Sequence, residues 1–278
     1  MTHKLVIQIL VEESVRRANL LAEHGISVFV EFGGHQILFD TGQIMALNWN
    51  APKLGVDLKA IDAVVLSHGH YDHTGGLLDL LKQRGDVPVF GHPDIFLRRF
   101  HVTENASRDV GIPWNRESLE ALGAQFHLNQ HVTEIFPNVF ITGEIPREND
   151  FETIEEGFQI QNEGRFVHDE IWDDQALVLK TQRGLVVIFG CGHSGVANTL
   201  TAVGKFFGTK KVYAILGGFH LVNAPERRIQ KTIEALREFP FQIISPMHCT
   251  GFRASVEIYK SFPEKFRDWH VGDVWSPI

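Results

Sequence analysis

A layered α/β protein, with helices covering the outer faces of its sheets, is the fold class that three features of the sequence predict. Short β-branched runs recur in both halves of the chain, turn residues join two pairs of them, and amphipathic helical stripes lie between them. Strands are expected at 5–11, 26–32, 36–40, 63–67, 139–142, 176–181, 185–189, 211–216 and 241–245. Gly33-Gly34 and Gln182-Arg183-Gly184 are turn chemistry suited to antiparallel hairpins, so the second and third strands, and the sixth and seventh, should be sheet neighbours. Helical periodicity marks 75–84, 196–207 and the segment after Pro225. There Pro225 suits a first helical position, and Ile229, Ile233 and Leu236 form one apolar stripe for a sheet surface. The span 92–174 is polar and punctuated by Gly and Pro, which reads as an insertion or lid on a single domain covering 1–278.

Composition narrows the function classes. The chain has 278 residues, 44% hydrophobic and 22% charged, values of a soluble globular protein with a substantial core. No apolar run approaches the ~18 residues of a membrane span, and the start MTHKLVIQILVEE lacks a signal-peptide cleavage region, so a cytoplasmic protein without membrane contact is expected. Twenty-six Lys and Arg against thirty-four Asp and Glu leave a net charge of −8, which opposes a broad nucleic-acid footprint. Two cysteines, Cys191 and Cys249, are too few for a disulfide framework. Fifteen histidines are the anomaly.

Four potential ligands stand in six positions directly after the apolar run Ala63-Val64-Val65-Leu66: His68, His70, Asp72 and His73. Such groups are costly beside a core unless something compensates them. At an extended strand end, residues two apart face the same side, so His68 and His70 can point at one ion. Asp72 follows at the next even step, and His73 is offset toward a second position as the chain turns at Thr74-Gly75-Gly76. One peptide can thus serve two metals.

The segment Ser67-His68-Gly69-His70-Tyr71-Asp72-His73-Thr74-Gly75-Gly76 resembles the HxHxDH signature of the metallo-β-lactamase-fold hydrolases. Phe39-Asp40-Thr41-Gly42 resembles the family segment whose aspartate supports the metal ligands, and Pro246-Met247-His248-Cys249-Thr250-Gly251 resembles its late histidine segment. Where many relatives carry a bridging Gly-Asp, this chain has Gly190-Cys191, followed by His193. Cys191 can replace the bridge as a thiolate, or His193 can take a ligand role with Cys191 merely packed. A histidine usual before the 176–189 hairpin is missing. His168 and Asp174 are candidates for it, and His220 after Gly217-Gly218 is the alternative. The segments EHGIS (23–27), ILFDTG (37–42), TGEIPR (142–147), GCGHSG, GGFH and PMHCTG together resemble the subgroup named for 7,8-dihydropterin-6-methyl-4-(β-D-ribofuranosyl)aminobenzene 5′-phosphate synthase.

The resemblance implies an αββα sandwich, two facing mixed sheets with helices outside, and a dinuclear site at one edge. His68 and His70 would bind one ion with His193 or His220. Asp72, His73 and His248 would bind the other, with Cys191 or solvent between them. Asp72 and Asp40 are the carboxylates expected to serve the chemistry, and Arg98, Arg99 and Arg147 are candidates for meeting an anionic substrate. Zinc suits His and Cys first, with manganese or iron as alternatives. The expected function is metal-dependent hydrolysis of a small anionic, phosphorylated molecule. The alternatives are condensation of a pterin pyrophosphate with an arylamine, a nuclease of the same superfamily, and a metal-containing binding or redox protein.

Overall fold

The computed structural model describes residues 4–162 and 164–277. Two mixed sheets face each other. In the first, the order is Val274–Trp275, Leu5–Val11, Ser27–Phe32, His35–Phe39, Ala63–Val65, Val87–Gly91, Ala124–Leu128, antiparallel up to His35–Phe39 and parallel beyond it. In the second, Ile243–Met247, Val212–Gly218 and Gly184–Phe189 run parallel, and Ala176–Thr181, Val139–Ile141 and Thr133–Phe136 continue antiparallel.

The alternation of side chains along these strands makes three apolar layers. Ile7, Ile9, Val28, Val30, Ile37 and Phe39 of the first sheet meet Leu177, Leu179, Val186 and Ile188 of the second in the central layer. The intervening residues face outward. Leu38, Val64 and Val89 pack on the Ala46–Lys53 and Leu77–Arg84 helices through Leu47, Leu77, Leu80 and Leu81. Val178, Val187 and Ile215 pack on the Val196–Phe207, Glu226–Leu236 and Phe252–Ser261 helices. A sheet buried on both faces reads as a continuous apolar run, which is why AVV and LVVIF lack clean alternation in the sequence. The result is an αββα sandwich. No helix among the described residues is long and apolar enough to cross a membrane.

Both expected hairpins form. Gly33 (φ 62°) and Gly34 (φ 89°) are the whole loop between paired Phe32 and His35, and positive φ at both centres is what a tight hairpin of this twist requires. Gln182-Arg183 closes the other, between paired Thr181 and Gly184. The stripe Ile229, Ile233, Leu236 is buried as expected, although Pro225 sits at ψ 152° as the cap residue before the helix rather than inside it.

The span 92–174 is divided. Ala124–Leu128 completes the first sheet, and Thr133–Phe136 with Val139–Ile141 completes the second. Only a four-stranded sheet, Arg165–His168, Phe158–Asn162, Arg99–Val102, Ser107–Asp109, stands apart. These strands are short and largely exposed or half-buried, so their apolar periodicity is weak.

Parallel strands deliver their C-terminal ends to one edge. His35–Phe39 ends at Asp40, Ala63–Val65 leads to His68, Gly184–Phe189 leads to Cys191, Val212–Gly218 to His220 and Ile243–Met247 to His248. Loops from both sheets therefore converge, the placement at which open α/β sheets carry their ligand sites.

Leu177→Ala tests the central layer: this fully buried side chain faces the opposite sheet, and its truncation should cost about 2–5 kcal/mol in denaturant unfolding.

Candidate metal centre

Local geometry first explains how the signature loop is held. Asp40 is fully buried and has positive φ (58°). Its Oδ1 accepts the Ser67 N–H at 2.7 Å. Its Oδ2 accepts the Ser67 hydroxyl and the His73 Nδ1–H, each at 2.7 Å. The Ser67 proton is thereby committed to a carboxylate, so Ser67 Oγ is an acceptor for His68 Nδ1 at 2.9 Å. Both rings are left with a bare Nε2. Thr41 fastens the other end of the loop, donating from N (2.7 Å) and Oγ1 (2.9 Å) to the His73 carbonyl.

Two glycines are required by close approach. A Cβ on Gly69 would lie 2.2 Å from the Ile95 carbonyl oxygen and 2.6 Å from Arg99 Nη1. A Cβ on Gly190 would lie 2.1 Å from Ser67 Oγ and 2.8 Å from Asp40 Oδ2. Gly190 thus lets the strand carrying Cys191 approach the strand carrying Asp40.

Potential ligand atoms gather in two main groups. One comprises Asp72, His73, Cys191 and His248, the other His68, His70 and His193, with ligand atoms within 4.8 Å of one another in each; Cys191 also groups with His193 and His220. In the first group His73 Nε2 is 3.2 Å from Cys191 Sγ, Cys191 Sγ is 3.3 Å from His248 Nε2, and Asp72 Oδ2 is 3.3 Å from His248 Nε2 and 3.5 Å from His73 Nε2. Donors at the corners of a zinc tetrahedron stand about 3.3–3.8 Å apart. Four edges of the group have nearly that length.

The second group fits a cation for a different reason. His70 Nε2 and both ring nitrogens of His193 are buried without hydrogen-bond partners, a state that costs roughly 1–3 kcal/mol per group unless compensated. Burial, followed by neighbouring cationic groups, holds the His68, His70 and His193 imidazoles well below the ordinary histidine range, which keeps them neutral with lone pairs available. Burial raises the Asp72 carboxyl, but His73 and His248 beside it more than offset this and hold it well below the carboxylate range. The residues present therefore suit divalent cations.

Carboxylates orient the rings that face Cys191. What Asp40 does for His73, Glu13 does for His248, whose Nδ1 is 3.1 Å from Glu13 Oε1. Hydrogen bonds from His24 and His248 bring the Glu13 carboxyl down to about 2. Glu12 accepts the His248 N–H at 2.9 Å. Neither acid is marked by the sequence, and the contacts of Ser67 and His24 are not legible from the segments that contain them. Adjacent acids after a strand carry no periodic signal, and their partner His248 is 236 and 235 positions away.

The other candidates are placed as follows. His220 (φ 47°) approaches His193, with ring centroids 4.1 Å apart, and its Nε2 is 3.4 Å from Glu155. Asp174 is buried behind the loop, its Oδ2 accepting the Ser194 N–H at 2.7 Å, and belongs to none of the donor groups. His168 lies exposed on the separate sheet, 3.9 Å from Glu170. Arg99 does not face a substrate. Its Nε bonds Asp169 at 2.7 Å and its two terminal nitrogens bond Asp173 at 2.8 and 2.7 Å, while Asp173 also accepts the Gly69 N–H at 2.8 Å. It braces the loop from behind, because a buried guanidinium must spend its donors on carboxylates. Arg147 is turned onto the Glu170 and Ile171 carbonyls and Ser194. Arg98 is exposed beside Phe100.

With this geometry in place, the chain compares with known proteins as follows. The family model for the metallo-beta-lactamase superfamily matches residues 23–197. A protein of Methanocaldococcus jannaschii named 7,8-dihydropterin-6-methyl-4-(beta-D-ribofuranosyl)-aminobenzene-5'-phosphate synthase is 35% identical over 266 residues, covering 91% of this chain and 90% of that protein. An uncharacterized protein of the same organism is 32% identical, covering 97% and 99%. A crystal structure of a metal-dependent hydrolase of the beta-lactamase superfamily superposes with a TM-score of 0.85 at 32% identity, covering 98% of each chain.

Two measurements test this geometry. Gly190→Ala should part Ser67 from Asp40 and lower stability by about 1–3 kcal/mol, read by urea unfolding. Burial raises the Asp174 carboxyl from 3.8 to about 6. The folded state then binds the proton more tightly than the unfolded chain, so this group's contribution falls as pH rises from about 4 to 6. Asp174→Asn should accordingly be more stable than the parent above pH 6, by up to about 3 kcal/mol, with the difference vanishing below pH 4.

Proposed function

The chain belongs to the metallo-beta-lactamase superfamily, and we propose that it is a metal-dependent hydrolase with two cation positions, acting on a small phosphorylated substrate. The observation that carries the proposal is the pair of donor groups with Cys191 adjoining both. In this reading His68, His70 and His193 hold one ion, with His220 beside them. Asp72, His73, Cys191 and His248 hold the other, and Cys191 stands where many relatives have a bridging aspartate. Burial pushes the Cys191 thiol well above its ordinary range, so its service as thiolate depends on a cation. Zinc is the first assignment from the His and Cys donors, with manganese and iron distinguished by elemental analysis.

Bound there, two divalent cations supply Lewis-acid polarisation of a phosphoryl oxygen and activate water near neutral pH. The chain's own residues supply the geometry. Asp40 and Glu13 aim the His73 and His248 rings, Asp173 and Arg99 fix Gly69 between two of the histidines, and Phe158 covers them, its ring centroid 5.2 Å from that of His70 and 5.3 Å from that of His193. In hydrolysis, water adds to phosphorus and the ester P–O bond breaks, the leaving oxygen taking up a proton.

The similarity to the Methanocaldococcus jannaschii synthase favours a second reading. There the nitrogen of an arylamine forms a bond to the 6-methyl carbon of a pterin pyrophosphate, the carbon–oxygen bond breaks to release pyrophosphate, and the nitrogen gives up a proton. Both readings need the same cradle for a nucleophile and a leaving anion. Metal-loaded protein incubated with phosphodiesters, with pterin pyrophosphate alone, and with pterin pyrophosphate plus an arylamine separates them by product mass. Hydrolysis without acceptor supports the first reading. Coupled product formed only with acceptor supports the second, and turnover confined to thioesters or lactams rejects both.

Elemental analysis should find two ions per chain. Cys191→Ala should release metal and Cys191→Asp should retain it. If Cys191→Ala keeps both ions, the thiol is packing rather than ligand.

A further inference from the structure

The separate four-stranded sheet turns one face toward the donor groups. Phe158 is paired with His101, and His101 with Arg108, across antiparallel strands. Directly opposed residues project from the same face of a sheet. Because the Phe158 ring lies over His70 and His193, that face is the inner one. Phe158, His101 and Arg108 therefore form a row leading outward from the histidines.

Arg108 is the exposed end of this row, beside the signature loop. Its guanidinium carbon is 5.5 Å from the centroid of the Tyr71 ring, and Tyr71 stands between His70 and Asp72 in the signature loop. The backbone fixes this placement: Tyr71 N–H donates to the Val110 carbonyl at 3.0 Å, and Val110 N–H to the Arg99 carbonyl at 2.9 Å. Among the described residues no ion pair engages Arg108, unlike Arg99, whose donors meet Asp169 and Asp173. It is exposed, whereas the acids Glu13 and Glu155 are engaged by His248 and His220.

We propose that Arg108 binds a second anionic group of the substrate, the distal phosphoryl of a diphosphate-type compound, while the reacting phosphoryl occupies the donor groups. Two rings separate the guanidinium from His248. Tyr71 and His24 have centroids 6.3 Å apart, and His24 and His248 5.2 Å apart. Among the described residues no ion pair joins Arg108 to Asp72, and its side-chain neighbour is the Tyr71 ring rather than a donor histidine, so a charge there is placed to meet a group other than the one under attack. A guanidinium offers a planar fork of donors matched to two phosphoryl oxygens. The assignment rests on the proposed reading of the donor groups as cation positions, and it names the substrate class that site would select.

The test is calorimetric binding of orthophosphate and of the non-hydrolysable methylenediphosphonate to metal-loaded protein, with metal content measured on the same samples. Arg108→Gln should weaken methylenediphosphonate about 10- to 100-fold and leave orthophosphate within about twofold. Arg108→Lys, which keeps the charge without the fork, should lose less. If the glutamine variant sheds metal, the lysine variant carries the comparison, with a smaller loss confined to the diphosphonate. Equal loss for both ligands, or none for the diphosphonate, overturns the assignment. Because binding is read without turnover, failure of the hydrolase reading would appear separately, as absent hydrolysis with the diphosphonate preference intact.

Discussion

The buried carboxylate of Asp40 is the constraint around which the candidate centre is arranged. A carboxylate without solvent contact is tolerable only when its lone pairs are used, and Asp40 accepts three hydrogen bonds, two from Ser67 and one from His73. Those bonds settle which nitrogen of His73 carries the proton and, through Ser67, which nitrogen of His68 does. They also join neighbouring strand ends, so ring orientation and sheet packing are parts of one network. Gly190 belongs to it, since any side chain there would occupy the space of the Ser67–Asp40 contact.

Strain accompanies this arrangement. Asp40, His220 and His248 all have positive φ, at 58°, 47° and 48°, immediately beyond strands of the two sheets. Non-glycine residues in that region cost of order 1–3 kcal/mol each and persist only where their surroundings over-determine them. Here the surroundings are the paired parallel strands, which stop at a common edge, and the polar contacts that seize each residue as it leaves the sheet. For His248 these are Glu12 on its backbone and Glu13 on its ring.

Cys191 adjoins both donor groups. A carboxylate in its place would bring two oxygens and a fixed charge. A buried thiol brings one soft donor whose charge depends on what is bound. The residues around it, neutral imidazoles on one side and an ionised Asp72 on the other, differ in charge, so the two proposed positions are electrostatically unequal. Hydrolysis and condensation draw on that cradle alike. The two proposed reactions differ in the nucleophile and in the atom attacked, water on phosphorus in hydrolysis and nitrogen on carbon in condensation.

Much of this was legible in the sequence because it is local. The His68–His73 cluster needs only strand periodicity followed by a tight turn, the hairpins need only Gly33-Gly34 and Gln182-Arg183, and the stripe Ile229, Ile233, Leu236 needs only the helical repeat. The donor-bearing segments around Asp40, Cys191, His193, His220 and His248 were also recognisable, each being a short motif at a strand end. Tertiary structure alone decided what depends on contacts between distant segments. Arg99, a free cation by sequence, is consumed by Asp169 and Asp173 seventy and more positions away. Glu13 reaches His248 across the whole chain, and the span 92–174 lends strands to both main sheets as well as forming its own. A charged side chain's role is set by which opposite charge lies within a few ångströms after folding, and a short half-exposed strand is defined by the partner that takes its hydrogen bonds. Neither quantity is carried by the residues on either side.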